Sequence, residues 1–391
     1  MGRALPPLAA ELMRRCWLAL LLACVPLMAG ADSSASTNSK AWQQQVAAAQ
    51  GKTVYFYAWG GSQGVNNYLR WAGRELRQQY GIRLEHVKVD DIATAVTVVM
   101  SQAEGAGAVD LMWINGENFR TLKQAGLLRG KLDVTIPNVS ELAFDKLPLN
   151  SDFGEPVEGF EVPWGIGQFH LLARADSFSG EQLSPAQLVQ FAQENPNRFT
   201  YPAPPEFHGT TFLKSLLVAL SEQDSRLYEP VTEAAATELL PLLWGYLDKL
   251  HPLLWRQGEV FAQSVSEQQR LLADGVLDIA FSFNPNELEV AAQAGRLPAN
   301  LKRATLGAEA ITNSHYLAIP VSAQAPAAAE VVIQFLVSRA AQQQKAQLSG
   351  WGDPSVRRDM LQQQQLFPAT AELHSSWQDY LERAWLERYQ H

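Results

Sequence analysis

The fold of this chain is decided by residues 54–62, which read Val54-Tyr55-Phe56-Tyr57-Ala58-Trp59-Gly60-Gly61-Ser62. The apolar run predicts a β-strand, and the Gly-Gly-Ser sequence predicts a tight turn at its carboxyl end. Apolar residues then recur with helical spacing at Val65, Leu69, Ala72 and Leu76. The segment therefore predicts a strand, a loop and a helix. Ligands of open α/β sheets bind beyond the carboxyl ends of the strands, so this loop is a candidate ligand site.

Strands and helices alternate outward from this unit. Helices are predicted at 65–79, 92–102 and 185–194, and strands at 82–89, 109–114, 165–173, 198–201, 277–283 and 314–319. The alternation predicts an α/β fold with mostly parallel sheets and crossover helices. The 391 residues exceed one typical domain, which predicts two lobes. No linker rich in Gly, Ser or Pro separates them, so we expect the chain to cross between the lobes more than once.

The first 31 residues have the features of an export signal. Three arginines accompany an apolar run at 16–28, and Ala29-Gly30-Ala31 fits a cleavage site. The apolar run is shorter than the roughly 20 residues that a membrane-spanning helix needs. We therefore expect residues 1–31 to be removed and the protein to be periplasmic. Both cysteines, Cys16 and Cys24, lie in this segment, so the exported chain should lack disulfides. A lipid anchor through Cys24, in Leu21-Leu22-Ala23-Cys24, is the minor alternative.

The charge balance and the scattered histidines exclude several functions. The full chain has a net charge of −9, and removal of residues 1–31, which carry three arginines and one glutamate, makes it −11. An acidic surface disfavours nucleic acid as a partner and mildly favours a cationic or neutral ligand, although it also simply gives solubility. The seven histidines form no metal-binding motif, so no metal site is predicted. Iron held by ligands distant in sequence stays open. No phosphate-binding P-loop is present, so no ATP hydrolysis is expected.

Several segments, taken in their order along the chain, resemble the extracellular solute-binding proteins of ABC importers. They are the strand and loop at 54–62, the strand and polar turn at 109–119, the helix end Ala125-Gly126-Leu127-Leu128, and the segments 162–171, 271–280 and 315–320. Within that family they resemble the YnjB-like group. Each motif is weak alone, but the ordered set covers most of the exported chain.

This resemblance implies a bilobed type II periplasmic binding protein fold, the Venus flytrap. Each lobe would be a mostly parallel sheet flanked by helices, with crossover strands as the hinge. Lobe one would comprise 32–165 plus 315–391, and lobe two 166–314. The resemblance also implies a monomeric receptor, not an enzyme and without a cofactor, that captures a small solute in the interlobe cleft. It would deliver the solute to an ABC permease with a separate ATPase subunit. A role that serves a sensor instead of an importer stays open.

Twelve residues are predicted to contact the solute, namely Trp59, Gly60, Gly61, Ser62, Asn115, Gly116, Glu117, Asn118, Trp164, Tyr201, Phe283 and Asn284. Most of them follow predicted strands. Glycines allow close backbone approach, Glu117 could pair with a cation, and a Trp ring could stack on a planar or cationic solute. These features weakly favour a cationic or zwitterionic organic solute. The alternatives are a plain turn at 60–62, helix capping by Asn115 or Asn118, and core packing of Trp164.

A different function is suggested by Gly60-Gly61-Ser62-Gln63-Gly64. This sequence matches G-x-S-x-G, the motif of the hydrolase nucleophile elbow. Asp110 or Asp278, with His315, could complete a triad. The alternative function is therefore a secreted serine esterase acting through Ser62. The elbow strand normally follows several earlier strands, whereas this strand is the first, and that difference favours the receptor.

Overall fold

The computed structural model describes residues 32–89, 91–102 and 105–390. The predicted signal peptide and the predicted lipid-anchor residue Cys24 lie outside the described residues. Residues 45–391 form one compact unit, and the architecture below is that of this unit. No helix within the described part of the chain combines the length and apolar character that a membrane crossing requires.

The structure alternates helices and strands. The helices are α1 (Asp32–Ala49), α2 (Gln63–Tyr80), α3 (Ala93–Ser101), α4 (Glu117–Gln124), α5 (Leu132–Thr135), α6 (Pro185–Glu194), α7 (Phe207–Leu220), α8 (Glu233–Leu250), α9 (Val265–Ala273), α10 (Glu287–Gln293), α11 (Pro326–Leu336), α12 (Arg339–Lys345) and α13 (Ser375–Tyr389). The strands are β1 (Thr53–Trp59), β2 (Arg83–Val89), β3 (Leu111–Ile114), β4 (Ser151–Asp152), β5 (Glu155–Pro156), β6 (Glu161–Gln168), β7 (His170–Arg174), β8 (Gln182–Leu183), β9 (Ile279–Ser282), β10 (Leu301–Leu306), β11 (Ala310–Ala318) and β12 (Ala369–Ala371).

The first sheet has the strand order β12-β11-β3-β1-β2, and β6 also pairs with β11. Strand β1 is parallel to both β2 and β3, as the sequence predicts. Strand β11 is antiparallel to β3 and β6 and parallel to β12. Because β1 and β3 are parallel, their carboxyl ends lie at one edge of the sheet, and the loops that follow them share that edge.

The second sheet has the strand order β8-β10-β7-β9. Strand β7 is antiparallel to β10 and to β9, and only β8 and β10 are parallel. The expectation of two α/β sheets flanked by helices is confirmed, but the second sheet is not mostly parallel. The reason is the connectivity, because β7 continues outward from β6 whereas β10 leads back into β11.

Two crossings join the sheets. Strand β6 of the first sheet continues into β7 of the second after the single residue Phe169, and β10 returns to β11 through residues 307–309. The two connections run side by side, since β6 and β11 pair along Glu161–Gln168 and Thr312–Ala318. A pair of short adjacent crossings is the arrangement in which two lobes can move about a hinge.

The carboxyl-terminal helix packs against the core of the second sheet. The sequence assigns 315–391 as a whole to lobe one, but Leu373, Trp377, Leu381 and Trp385 lie in the core cluster built mainly by residues 169–311. Trp385 Nε1 also donates a hydrogen bond to Tyr201 Oη at 2.8 Å. The apolar side of α13 is evident in the sequence, but the surface that it covers depends on a contact between residues far apart along the chain.

The helices and strands that the sequence predicts are present, with one exception. Helix α6 begins as predicted at Ser184, whose hydroxyl accepts from Gln187 N while the Gln187 side chain accepts from Ser184 N, a capping box. The predicted strand at 198–201 is wrong. Arg198 O accepts a hydrogen bond from Asp278 N at 2.8 Å, and Phe199 O accepts one from Trp255 N at 2.7 Å. Because these donors belong to two different segments, no single strand pairs with this segment.

Candidate functional site

The loop after β1 carries the Ser62 hydroxyl and the Trp59 ring. Gly60 N donates to Val89 O at 3.0 Å, and Asn66 Nδ2 donates to Gly60 O at 2.8 Å, which holds the turn. Ser62 occupies the N-cap position of α2, yet its side chain makes no capping hydrogen bond. Trp59 is 44% exposed, and its ring lies against Gly61, where a side chain would overlap it. This loop is therefore a hydrogen-bonded turn with a partly exposed indole ring and, among the described residues, a hydroxyl that makes no capping hydrogen bond.

The loop after β3 is held by a buried carboxylate. Gly116 has a φ of 60° and donates its N–H to Asp152 Oδ2 at 2.6 Å. A side chain at Gly116 would crowd the Phe153 ring, which also requires glycine there. Burial raises the pKa of Asp152 well above its ordinary value, the Gly116 hydrogen bond lowers it, and Glu372 raises it further. Asn115, which precedes Gly116, is half-buried.

Glu117 and Asn118 line a polar groove between α4 and the start of α13. The groove has a volume of about 360 Å³ and also contains Ser375 and Asp379. Arg120 Nη1 donates to Ser375 Oγ at 3.2 Å across it. Loss of hydration raises the pKa of Glu117, and the negative charges of Asp379 and Asp91 raise it further. The groove is thus a place where a positive charge would be stabilised.

Trp164 lies at an irregularity of the first crossing. His315 pairs with Gly165 whereas Tyr316 pairs with Pro163, so Trp164 is the extra residue of a β-bulge. Bulges re-aim side chains and occur often beside functional sites. The Trp164 ring is 0% exposed, and Nε1 has no hydrogen-bond partner among the described residues. The core-packing alternative therefore describes its present environment.

An aromatic cluster surrounds Trp164 at the edge of the sheet. It consists of Tyr68, Trp113, Trp164, His315 and Trp351. The Trp351 ring lies nearly parallel to the His315 ring, with centroids 5.9 Å apart and an interplanar angle of 19°. Trp113 stands edge-on to Trp164 at 5.1 Å and lies 5.6 Å from Trp351. Because Trp113, His315 and Trp351 are only half-buried, this cluster leaves part of its aromatic surface exposed.

A buried network of Lys345, Asp353 and His315 lies against the aromatic cluster. Asp353 pairs with His315 Nε2 at 3.0 Å on one side and with Lys345 Nζ on the other. Lys345 is fully buried, donates to Pro354 O at 2.6 Å, and lies 5.5 Å from the Trp351 ring centroid. Burial raises the pKa of Asp353, but His315 and Lys345 outweigh it and the net shift is downward. The network fixes the orientation of His315 and of the chain around Trp351.

The segment Gly350-Trp351-Gly352-Asp353, the 350–353 loop, lies between α2, which follows a strand of the first sheet, and the turn after β9 of the second sheet. On the first-sheet side, a side chain at Gly64 of α2 would crowd Gly350 O and the Trp351 Cα at 3.1 Å. On the second-sheet side, Asn286 Nδ2 donates to Gly352 O at 2.8 Å. The loop therefore lies beside the start of α2, the crossings and the turn after β9.

The turn after β9 carries two of the predicted residues. The Phe283 ring packs 5.1 Å from Phe207 and 5.2 Å from His208, and it is half-buried. Asn284 Oδ1 accepts from Asn286 N at 3.0 Å, which shapes the turn. Phe283 Cβ also lies 3.1 Å from where a side chain would stand on Gly167 of the crossing. Phe283 therefore lies against the crossing strand β6.

The structure buries Tyr201, which the sequence predicts to contact the solute. Its ring is fully buried in the core cluster around α7 and α13. Its hydroxyl accepts from Trp385 Nε1 at 2.8 Å and lies 2.7 Å from His251 Nε2. Internal partners satisfy both its apolar and its polar parts. A tyrosine beside a predicted strand end suggested a site, but the predicted strand does not exist.

Sequence reasoning missed the 350–353 loop, Trp113 and Lys345, and considered His315 only as a possible catalytic base. A Trp between two glycines and before an Asp, within a Gln-rich tail, was the available signal. The catalytic alternative finds little geometric support. His315 pairs with Asp353, Asp110 accepts from the backbone N–H groups of Gln324 and Ala325, and no hydrogen bond joins Ser62 to His315 among the described residues. The described residues also contain no group of three or more potential ligands arranged for a metal ion.

Comparison with known proteins agrees with this architecture. The family model described as bacterial extracellular solute-binding protein matches residues 71–375. The chain is 40% identical to Protein YnjB of Escherichia coli (strain K12) over 394 residues, which covers 96% of this chain and 99% of that protein.

Solved structures share the fold at low sequence identity. An ABC transporter substrate-binding protein from Bradyrhizobium japonicum USDA 110 superposes with a TM-score of 0.62 at 14% identity, covering 87% of this chain and 100% of that one. Iron-bound HitA from Pseudomonas aeruginosa superposes with a TM-score of 0.56 at 14% identity, covering 85% of this chain and 99% of that one.

Proposed function

Because the chain belongs to the family of bacterial extracellular solute-binding proteins, we propose that it is the periplasmic receptor of an ABC importer. It captures a small solute between two lobes and delivers it to a membrane permease that a separate ATPase subunit drives. The receptor itself carries out no covalent chemistry and works as a monomer. A neighbouring gene for a permease would support import, whereas a neighbouring sensor kinase would support signalling.

The proposed lobes follow the two sheets. Lobe one ends at residue 165 and resumes over 315–371, and lobe two comprises 166–314 together with 372–390. The contacts of α13 with the second core support this division. Closure would bring the turn at 283–286 toward the loops at 59–62 and 115–118. A solute closes such a hinge only if it binds the closed form more tightly than the open form, and contacts from both lobes supply that difference.

One observation carries the proposal, namely that the 350–353 loop contacts both the first sheet and the turn that follows β9 of the second sheet. The hydrogen bond from Asn286 to Gly352 crosses from one proposed lobe to the other, beside the half-buried rings of Trp113 and Trp351. We propose that the solute contacts the first loop, Asn115 to Asn118 and the turn at Phe283 and Asn284. Trp164 would support the aromatic cluster from within.

A cationic or zwitterionic organic solute fits this surface best. Aromatic faces attract cations by roughly 0.5–2 kcal/mol. The Glu117 carboxylate, whose pKa is raised by desolvation and by the nearby charges of Asp379 and Asp91, gains most from a positive partner. The charge of Asp353 is already matched by Lys345 and His315, so we do not assign it to the solute.

A thermal-shift screen tests the proposal. The panel contains polyamines and thiamine-like cations, zwitterionic amino acids, neutral sugars and carboxylate anions. A solute present at about 100 times its dissociation constant adds about 2.7 kcal/mol to the stability of the folded state. We expect a shift with a cation or zwitterion. If no solute class raises the melting temperature, the receptor function is wrong, and if only anions do, the assigned class is wrong.

Glu117→Gln refines the test, and Glu233→Gln is its matched control. Both glutamates occupy the first position of a helix, so both variants lose the same interaction with the helix dipole. Only Glu117 lines the groove. We expect the Glu117 variant to bind a cationic solute about tenfold more weakly, which is about 1.4 kcal/mol. Equal affinities of the two variants would exclude Glu117 from the site.

The esterase alternative is tested with a generic p-nitrophenyl ester. A receptor shows no turnover above the buffer rate in either the unaltered protein or the Ser62→Ala variant. Turnover that disappears in Ser62→Ala would replace the receptor proposal by the esterase.

A further inference from the structure

A second concave surface lies on the side of the first sheet, between α2 and the edge strand β2. It has a volume of about 470 Å³, and we call it the α2–β2 groove. Gly73 of α2 lies over Leu84 of β2, and the absence of a side chain there helps to open the groove between the helix and the strand. None of its lining residues belongs to the proposed solute site.

The groove is strongly basic in an acidic protein. Arg70, Arg74 and Arg77 line one wall at helical spacing, and Arg83 and Lys88 line the other. Glu85 is the one acidic residue in the lining, so the groove has a net charge of about +4 with a neutral histidine, against −9 for the whole chain. No described carboxylate lies within ion-pairing distance of Arg74, Arg77 or Lys88, and all three are exposed. Unpaired guanidinium groups at this density attract carboxylates, which they bind through two parallel hydrogen bonds.

The wall formed by β2 is an open sheet edge. Among the described residues β2 pairs with β1 alone. Arg83 N donates to Lys52 O at 2.9 Å and Val89 O accepts from Gly60 N at 3.0 Å, so the odd-numbered residues of β2 bond to β1. In a parallel pair alternate residues bond to alternate sides. The backbone groups of Leu84, His86 and Lys88 therefore point away from β1, along the edge of the sheet beside the basic walls.

We propose that the α2–β2 groove binds an extended acidic segment of a partner polypeptide, which adds as a strand to the edge of β2. Strand addition supplies main-chain hydrogen bonds, and alternate acidic side chains of the segment meet the arginines of α2. A phosphate group or a lipid headgroup could use the arginines but would leave the strand edge unpaired. The groove is concave, whereas a membrane surface is broad and flat. These two features favour a peptide, and the inference does not rest on the proposed function.

The experiment measures binding of a fluorescent ten-residue peptide of alternating Thr and Glu to the full exported chain. Three comparison probes are the same peptide with Lys in place of Glu, the Thr-Glu peptide with alternate backbone nitrogens methylated, and inorganic pyrophosphate. A fourth comparison probe consists of lipid vesicles that contain phosphatidylglycerol and phosphatidylcholine. We expect saturable binding of the Thr-Glu peptide that weakens with salt, at least tenfold weaker binding of the methylated peptide, and no binding of the Lys peptide.

Arg74→Glu is the informative variant, and Arg383→Glu is its matched control. Both arginines are exposed on helices and have no ion pair among the described residues, but only Arg74 lines the groove. We expect the Arg74 variant to bind the Thr-Glu peptide at least tenfold more weakly and the Arg383 variant to bind within twofold of the unaltered protein. Equal binding of the methylated and unmethylated peptides would overturn strand addition. Failure to bind the peptide at low salt, or tighter Arg74-dependent binding of pyrophosphate or vesicles, would overturn the proposal.

Discussion

Replacing Gly165 by alanine tests how closely the ion network lies against the crossing strand. A methyl group on Gly165 would overlap the Asp353 carboxylate and the His315 ring, so both must move away from β6. That movement strains the contact between His315 Nε2 and Asp353 Oδ1, which is 3.0 Å long and largely buried. Weakening a hydrogen bond to a buried charge costs about 1.5–3 kcal/mol, and overpacking costs about 1–3 kcal/mol. We therefore expect Gly165→Ala to lower the free energy of unfolding by about 2.5–6 kcal/mol.

Gly245→Ala is the matched control for the substitution itself. Gly245 lies inside α8, and a side chain there would meet no atom within 4 Å. The same methyl group should stabilise the protein by about 0.5–1 kcal/mol, because alanine is the better helix former. Urea unfolding followed by tryptophan fluorescence measures both variants. If Gly165→Ala lies within about 0.5 kcal/mol of the unaltered protein while Gly245→Ala behaves as expected, the packing of Asp353 and His315 against β6 is wrong.

Three further predictions concern buried groups. Burial lowers the pKa of His170 from 6.5 to about 4, so between these values His170 is protonated in the unfolded chain but neutral in the folded protein. Relative to a His170→Gln variant, the free energy of unfolding of the unaltered protein should therefore fall by about 3 kcal/mol between pH 7 and pH 4. A difference between the two proteins that does not change with pH would contradict this. Lys345→Met leaves the buried Asp353 with one partner and should cost about 3–5 kcal/mol in urea unfolding, much of which Asp353→Asn should restore. Trp385→Ala should lower the free energy of unfolding by about 3–5 kcal/mol, because a fully buried ring and its hydrogen bond to Tyr201 are lost. A loss below about 1 kcal/mol would show that α13 does not pack into the core.

Much of the local structure was predictable because it depends on neighbouring residues. The apolar run before Trp59, the helical spacing after Ser62 and the cap at Ser184 each specify an element through contacts a few residues apart. The family was identifiable for a related reason, since an ordered series of such elements is itself distinctive. The shared position of the loops at 59–62 and 115–118 follows from the same logic, because parallel strands place their carboxyl ends at one edge.

The sequence by itself therefore determined the α/β class, the order of the elements and the loops at 59–62 and 115–118. Only the tertiary structure decided that Tyr201 is internal, that α13 covers the second core, and that Trp351 and Asp353 lie against the crossing. Each of these outcomes depends on contacts between residues that are far apart along the chain. Periodicity reports which side of an element is apolar, but the surface that buries this side is chosen by the packing of the whole chain.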